Sequence, residues 1–173
     1  TGMTKEPPSE PPLVSSTSTP DKAQPLENIS VLLVEDDDDS RYLLALVLQR
    51  FGAEVFAASS SGEALDLFVQ RGPDIVISDI GMEEEDGYAF IRKLRSLPQQ
   101  RSLLHESNNS NNSRDSLEIK SPSRVVPAIA LTGYATTKDR DRALAAGYQL
   151  HLAKPVEPET LLESVLSLIK SSI

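Results

Sequence analysis

Val31-Leu32-Leu33-Val34-Glu35-Asp36-Asp37-Asp38-Asp39 is the stretch on which the fold turns. A strand with one solvated face alternates apolar and polar side chains, so four large apolar residues in succession mark a strand covered on both faces. Five acids end the run, and a different period follows. Leu43, Leu44, Val47, Leu48 and Phe51 recur at helical steps, and Gly52 stops them.

The same alternation repeats outward. Glu54–Ala58 reads as a second strand. Ser60 and Glu63 form a capping box for a helix to about Gln70. Asp74-Ile75-Val76-Ile77-Ser78 is a third strand, followed by a helix over Asp86–Leu97 with Phe90, Ile91, Leu94 and Leu97 on one face. Pro127-Ala128-Ile129-Ala130-Leu131 is a fourth strand, and Thr136 with Asp139 caps a helix ending near Gly147. Gln149–Leu152 is a short fifth strand. Pro158 suits the first turn of a last helix that buries Leu161, Leu162, Val165, Leu168 and Ile169. Strand and helix alternating five times, with right-handed crossovers, predict an α/β doubly wound parallel sheet with helices on both faces.

Two stretches break this rhythm. Residues 1–28 hold six of the twelve prolines among serines and threonines, and bury too little to offset ordering entropy; they read as a disordered Pro/Ser-rich linker or tail. Residues 98–124, with Asn108, Asn109, Asn111 and Asn112 among many serines, read as a low-complexity insertion. The folded domain is expected over 29–173. The net charge of −9 argues against a direct nucleic-acid surface and does not favour an anionic membrane. The absence of cysteine excludes disulfides, thiolate catalysis and Cys-based zinc sites, and agrees with a cytoplasmic location. No apolar run approaches the roughly 20 residues of a membrane span.

In a doubly wound sheet the functional crevice lies beyond the carboxyl ends of the strands. There the sequence sets Glu35, Asp36, Asp37, Asp38 and Asp39 after strand one, Asp79 after strand three, Thr132 at the end of strand four and Lys154-Pro155 after strand five. Singly each has an ordinary reading: a helix cap, a loop hydroxyl, a turn, a solvated acidic face. Together they are specific. A close carboxylate pair repels by about 4 kcal/mol at an effective dielectric near 20, and a hard cation relieves it. Oxygen donors without Cys or convergent His point to Mg2+, with Mn2+ as the alternative. Lys154 and Thr132 add a positive charge and a hydroxyl, which completes the inventory for phosphoryl transfer to a carboxylate.

At this point the chain resembles a response-regulator receiver domain of two-component signalling. Four motifs carry the resemblance: Val31–Asp37 with Arg41 following; Asp79-Ile80-Gly81-Met82-Glu83-Glu84-Glu85-Asp86-Gly87, similar to the phosphoacceptor signature D-x-x-M-P-x-x-D-G; Ala130-Leu131-Thr132-Gly133; and Ala153-Lys154-Pro155. The resemblance runs from Ile29 to about Lys170. It implies a flavodoxin-like sheet of order 2-1-3-4-5, Asp79 as phosphoacceptor, and a metal held by Glu35, Asp36, Asp79 and the Gly81 carbonyl. It also implies Thr132 and Lys154 on the phosphoryl group, a cis Lys154–Pro155 bond, and Asp37–Asp39 as helix-start and surface acids, with Asp37 able to substitute in the metal shell. The domain would catalyse its own phosphorylation and dephosphorylation, taking the group from a histidine kinase or histidine phosphotransfer domain. Activation would reshape the face around Ala143, Leu150, His151 and Leu162, and a phosphorylation-dependent dimer is a further expectation. Because the chain ends soon after its last helix, the expected context is the C-terminal receiver of a hybrid histidine kinase, with a stand-alone regulator as second choice.

The departures are specific. Glu83 replaces the usual proline, so a looser, more negative loop is expected. His151 occupies a position where an aromatic switch residue is common; a satisfied buried histidine is the plain reading and a titrating switch ring the sharper one. Tyr134 and Gly81 occupy positions that in the resembled family influence access of hydrolytic water, and a bulky Tyr134 is expected to slow loss of the phosphoryl group. A haloacid-dehalogenase-type phosphatase would need an Asp where Gly81 stands, and a flavin binder would not place Glu35–Asp39 against a phosphate. His105 lies in the Ser/Asn-rich stretch and reads as a surface residue. The chief alternative is a degenerate receiver that binds a partner without phosphorylation.

Overall fold

The computed structural model describes residues 24–98, 125–134 and 136–172. The expected tail therefore lies outside the described residues up to 23, and the insertion from 99 to 124. Five strands, β1 (Ser30–Val34), β2 (Glu54–Ala58), β3 (Ile75–Asp79), β4 (Ala128–Thr132) and β5 (Leu150–Ala153), alternate with five helices, α1 (Asp38–Arg50), α2 (Ser61–Arg71), α3 (Gly87–Ser96), α4 (Thr137–Ala146) and α5 (Pro158–Ser171). All strand pairs are parallel, in the order β2-β1-β3-β4-β5. No helix among the described residues is long and apolar enough to cross a membrane.

The two-residue period of β1 explains its unbroken apolar run. Leu32 and Val34 face one cluster with Ala64 of α2, Phe90, Ile91 and Leu94 of α3, and Ala143 of α4. Val31 and Leu33 face the other, with Leu48 of α1 and Leu161 and Val165 of α5. The four apolar side chains of β1, Val31 to Val34, are fully buried, each contributing about 1.5–3 kcal/mol by leaving water. The edge strands β2 and β5 are less covered.

Local signals set the helix starts. Asp37, Ser60, Asp86 and Thr136 each accept a hydrogen bond from the amide three residues on. The capping box of α2 differs by one residue from expectation, since Glu63 Oε2 accepts from the Ser59 amide at 2.8 Å. Leu43 faces solvent with Tyr42 and Leu46, leaving Leu48 as the buried anchor of α1.

The folded unit begins before the expected boundary at residue 28. Gln24–Glu27 form a turn, and Leu26 is fully buried, with its amide 2.8 Å from the Phe51 carbonyl. A single leucine inside a proline-rich stretch carries no periodicity, so its burial could not be read from the sequence. Gly52, at φ +96, permits the contact; a Cβ there would lie 2.8 Å from Gln24 Cβ.

Candidate functional site

The strand order places the crevice beyond the carboxyl ends of β1 and β3, where successive connections leave the sheet in opposite directions. Three carboxylates meet there. One oxygen each from Glu35, Asp36 and Asp79 lies within 4.8 Å of the others. Glu35 is almost fully buried, and Asp79, the last residue of β3, is 5% exposed. Lys154, directly after β5, holds the two buried acids together: its Nζ is 2.6 Å from Glu35 and 3.1 Å from Asp79. The Lys154–Pro155 bond is cis.

Burial pushes the Glu35 carboxyl above its usual range, despite the opposing hydrogen bond from Lys154. For Lys154 burial acts downward, but the Glu35 hydrogen bond and the Asp79 and Glu35 charges outweigh it and raise the ammonium. The backbone of the acidic loop is held too. Glu35 Oε1 accepts from the Asp37 amide at 3.2 Å, and Arg41 donates to the Glu35 carbonyl at 2.9 Å and to Asp38 at 2.5 Å.

Asp86 and Gly87 set the far end of the phosphoacceptor-like loop. Asp86 caps α3 by accepting from Ala89 at 2.8 Å. Gly87 is required by close approach, because a Cβ would lie 2.6 Å from the Asp79 carbonyl oxygen and 2.8 Å from Ile80 Cα. The Tyr148 hydroxyl, buried behind it, donates to the Gly87 carbonyl at 2.7 Å.

Thr132 ends β4 and lines the same cleft as Asp79, Gly81, Tyr134 and Lys154. Its hydroxyl is engaged locally, donating to the Tyr134 carbonyl at 3.1 Å and accepting from the Tyr134 amide at 3.2 Å. Gly81 is exposed at the rim, with its backbone close to Asp79. His151 lies away from the carboxylates. It pairs with Ala130 in the β4–β5 register, on the sheet face covered by α2–α4. Its Nε2 is buried with no hydrogen-bond partner among the described residues.

Several groups escaped sequence reasoning. Arg142 stacks 4.1 Å over the Tyr88 ring in the cleft wall. Arg95 binds the Val126 carbonyl at 2.7 Å and the Gly147 carbonyl at 2.8 Å, tying α3 to the strand side of α4. The Glu83 amide reaches Asp36 at 3.0 Å.

Comparisons with known proteins agree with this arrangement. The family model of the response regulator receiver domain matches residues 31–118. That match stops before β4, so the Thr132 and Lys154 strands are supported by the longer alignments and the fold. An uncharacterised 14.6 kDa protein of Leptolyngbya boryana is 36% identical over 142 residues, 82% of this chain and 91% of that one. The hybrid signal transduction histidine kinase D of Dictyostelium discoideum is 31% identical over 149 residues, 84% of this chain; the chain spans 8% of that relative's length. The solved structure of the Vibrio cholerae chemotaxis protein CheY4 superposes with a TM-score of 0.63 at 26% identity, covering 81% of this chain and 98% of that one. With its sheet order, its strand-end carboxylates and the family match over half its length, the chain belongs to the response regulator receiver domain family of two-component signalling.

Proposed function

We propose that the chain accepts a phosphoryl group on Asp79 from a phosphohistidine of a histidine kinase or phosphotransfer partner. The observation that carries this reading is the bridging ammonium: Lys154 touches both Asp79 and Glu35, while Asp36 stands within 4.8 Å of both acids. Three carboxylates and one ammonium leave two formal negative charges, the deficit one divalent cation would fill. The donor set is all oxygen and suits Mg2+. Glu35, Asp36, Asp79 and the Gly81 carbonyl would hold it, and the bound ion would supply charge neutralisation for the phosphoryl oxygens.

Asp79 supplies the nucleophile. Its carboxylate oxygen forms the bond to phosphorus as the phosphorus–nitrogen bond of phosphohistidine breaks, and the imidazole leaves with a proton from solvent. Water later attacks the acyl phosphate, releasing inorganic phosphate and restoring the carboxylate. Lys154 stabilises the equatorial charge. Thr132 leaves its bonds to Tyr134 and donates to the phosphoryl group. This draws on β4 and shifts the α4, β5 and α5 face, with His151 and Leu162 in it, between two populations.

The approach of the partner is supported by α1, which begins at the site. Tyr42, Leu43 and Leu46 are exposed on one side of it and offer an apolar surface to a partner helix. The named hybrid kinase relative supports a receiver inside a longer kinase chain, and the reading carries with it a cytoplasmic location.

Incubation with Mg2+ and acetyl phosphate, followed by intact-mass measurement, tests the reading. One added phosphoryl group is expected on the parent and none on Asp79→Asn. A parent that stays unmodified would leave the receiver as a phosphorylation-independent interaction module.

A further inference from the structure

The three clustered carboxylates are not held alike. Lys154 contacts Glu35 and Asp79, yet no Lys or Arg among the described residues pairs with Asp36. Asp36 is instead held by a neutral donor 47 residues away: the main-chain amide of Glu83 lies 3.0 Å from Asp36 Oδ2. Only a residue with an N–H can make this bond, and the proline usual at this position has none.

The loop that carries the amide is anchored on both sides. The Ile80 amide binds the Leu131 carbonyl at 2.9 Å, and the Gly87 amide binds the Ile80 carbonyl at 3.0 Å. Met82 is buried beside Glu83, and Glu85 pairs with Lys93. The Glu83 side chain itself is exposed. Because the loop is anchored, only the Asp36 side chain must give up rotamer freedom to make this bond.

We propose that the Glu83 main-chain amide is a positioning group for the cation site, holding the Asp36 carboxylate beside Glu35 and Asp79 before any cation arrives. Without it, repulsion from two neighbouring acids turns Asp36 toward water, and cation binding must first bring it back. The inference rests on the metal-binding reading above. It makes the departure from proline a gain in order at Asp36, where the sequence alone suggests a looser loop.

Three variants separate backbone from side chain, with Mg2+ affinity read by titration calorimetry on the full chain. Glu83→Pro removes the amide donor and should bind Mg2+ about tenfold more weakly. Glu83→Ala keeps the donor and removes the exposed charge, and should stay within about twofold of the parent. Hydrogen exchange gives a readout that needs no metal: the Glu83 amide should be protected in the parent and lose that protection in Asp36→Ala. If Glu83→Pro fails to fold, this exchange measurement decides. An affinity for Glu83→Pro equal to the parent's, or a Glu83 amide that exchanges freely in the parent, overturns the proposal alone. A parent that binds no Mg2+ overturns the metal-binding reading with it.

Discussion

Lys154 and Thr132 stand side by side, the Lys154 amide bonded to the Thr132 carbonyl at 2.7 Å, but their side chains are held in opposite ways. The Lys154 ammonium is committed to two buried acids across the sheet. The Thr132 hydroxyl is folded back on its own loop, bonded to the backbone of Tyr134, which is itself 79% exposed. On the carboxylate side the charges are already gathered, and one ammonium offsets part of them. On the Thr132 side the bonds are neutral and local, worth about 1 kcal/mol each, and the neighbouring strand β5 is half-covered, with no partner for His151 Nε2 among the described residues. The difference teaches which side is free to change: on the proposed reading, a phosphoryl group on Asp79 would compete only for the weakly held side.

The strongest way to break this contrast is Lys154→Met, which leaves Glu35 buried and unpaired. Unfolding free energy in urea at neutral pH should fall by about 2 kcal/mol, under the range for fully buried pairs because Lys154 is 29% exposed. The sign with pH follows from Glu35. Its folded carboxyl is raised above 4.5, so ionising it costs native stability as pH rises through the folded value. Losing Lys154 raises it further. The deficit should therefore be largest at neutral pH and shrink toward pH 4.5, and adding Glu35→Gln should restore most of it.

Tyr148→Phe loosens the pin between the two sides, since Tyr148 precedes β5 and holds Gly87 at the end of the acceptor loop. A loss of about 1 kcal/mol is expected from the missing hydrogen bond. Burial pushes the Tyr148 hydroxyl above its ordinary value of 10, so its contribution is complete below pH 10 and is lost as pH rises beyond it. Denaturation curves of the Phe variant above pH 10 should show a weaker alkaline decline.

Thr132→Ala sharpens the contrast. Stability should change by only about 0.5 kcal/mol, and acetyl phosphate should still label Asp79. The amide shifts that beryllofluoride causes at Ala143 and His151 should vanish in heteronuclear spectra; their persistence would remove Thr132 from the switch. Tyr134→Ala should leave the unfolding transition unmoved and shorten the lifetime of the added mass. A parent-like lifetime would show that the exposed ring does not shield the acyl phosphate.

The two sides also differed in how well they could be read beforehand. The carboxylates, Lys154 and Thr132 were legible because each sits at a strand end, and strand ends are marked by local changes of period. The Asp86–Gly87 pair was legible only as the end of the motif that carries the resemblance; the cap and the close approach at Gly87 came from the structure. Leu26 was not, because burial of one leucine depends on a distant partner, Phe51, and leaves no pattern. The state of His151 was not, because whether a ring nitrogen finds a donor depends on side chains from other elements. Nothing local in the sequence singles out Arg95 or Arg142; only packing turned one onto the Gly147 and Val126 carbonyls and the other onto Tyr88.

By itself the order of residues determined the strands, the helices with their caps, and the set of chemical groups at one edge of the sheet, since all of these follow from periods of two and 3.6 and from contacts within a few positions. Only the tertiary structure decided which donor serves which acid. Lys154 reaches Glu35 across 119 residues and the Glu83 amide reaches Asp36 across 47, and such pairings depend on ångström-scale placement that the sheet order sets and local chemistry does not encode.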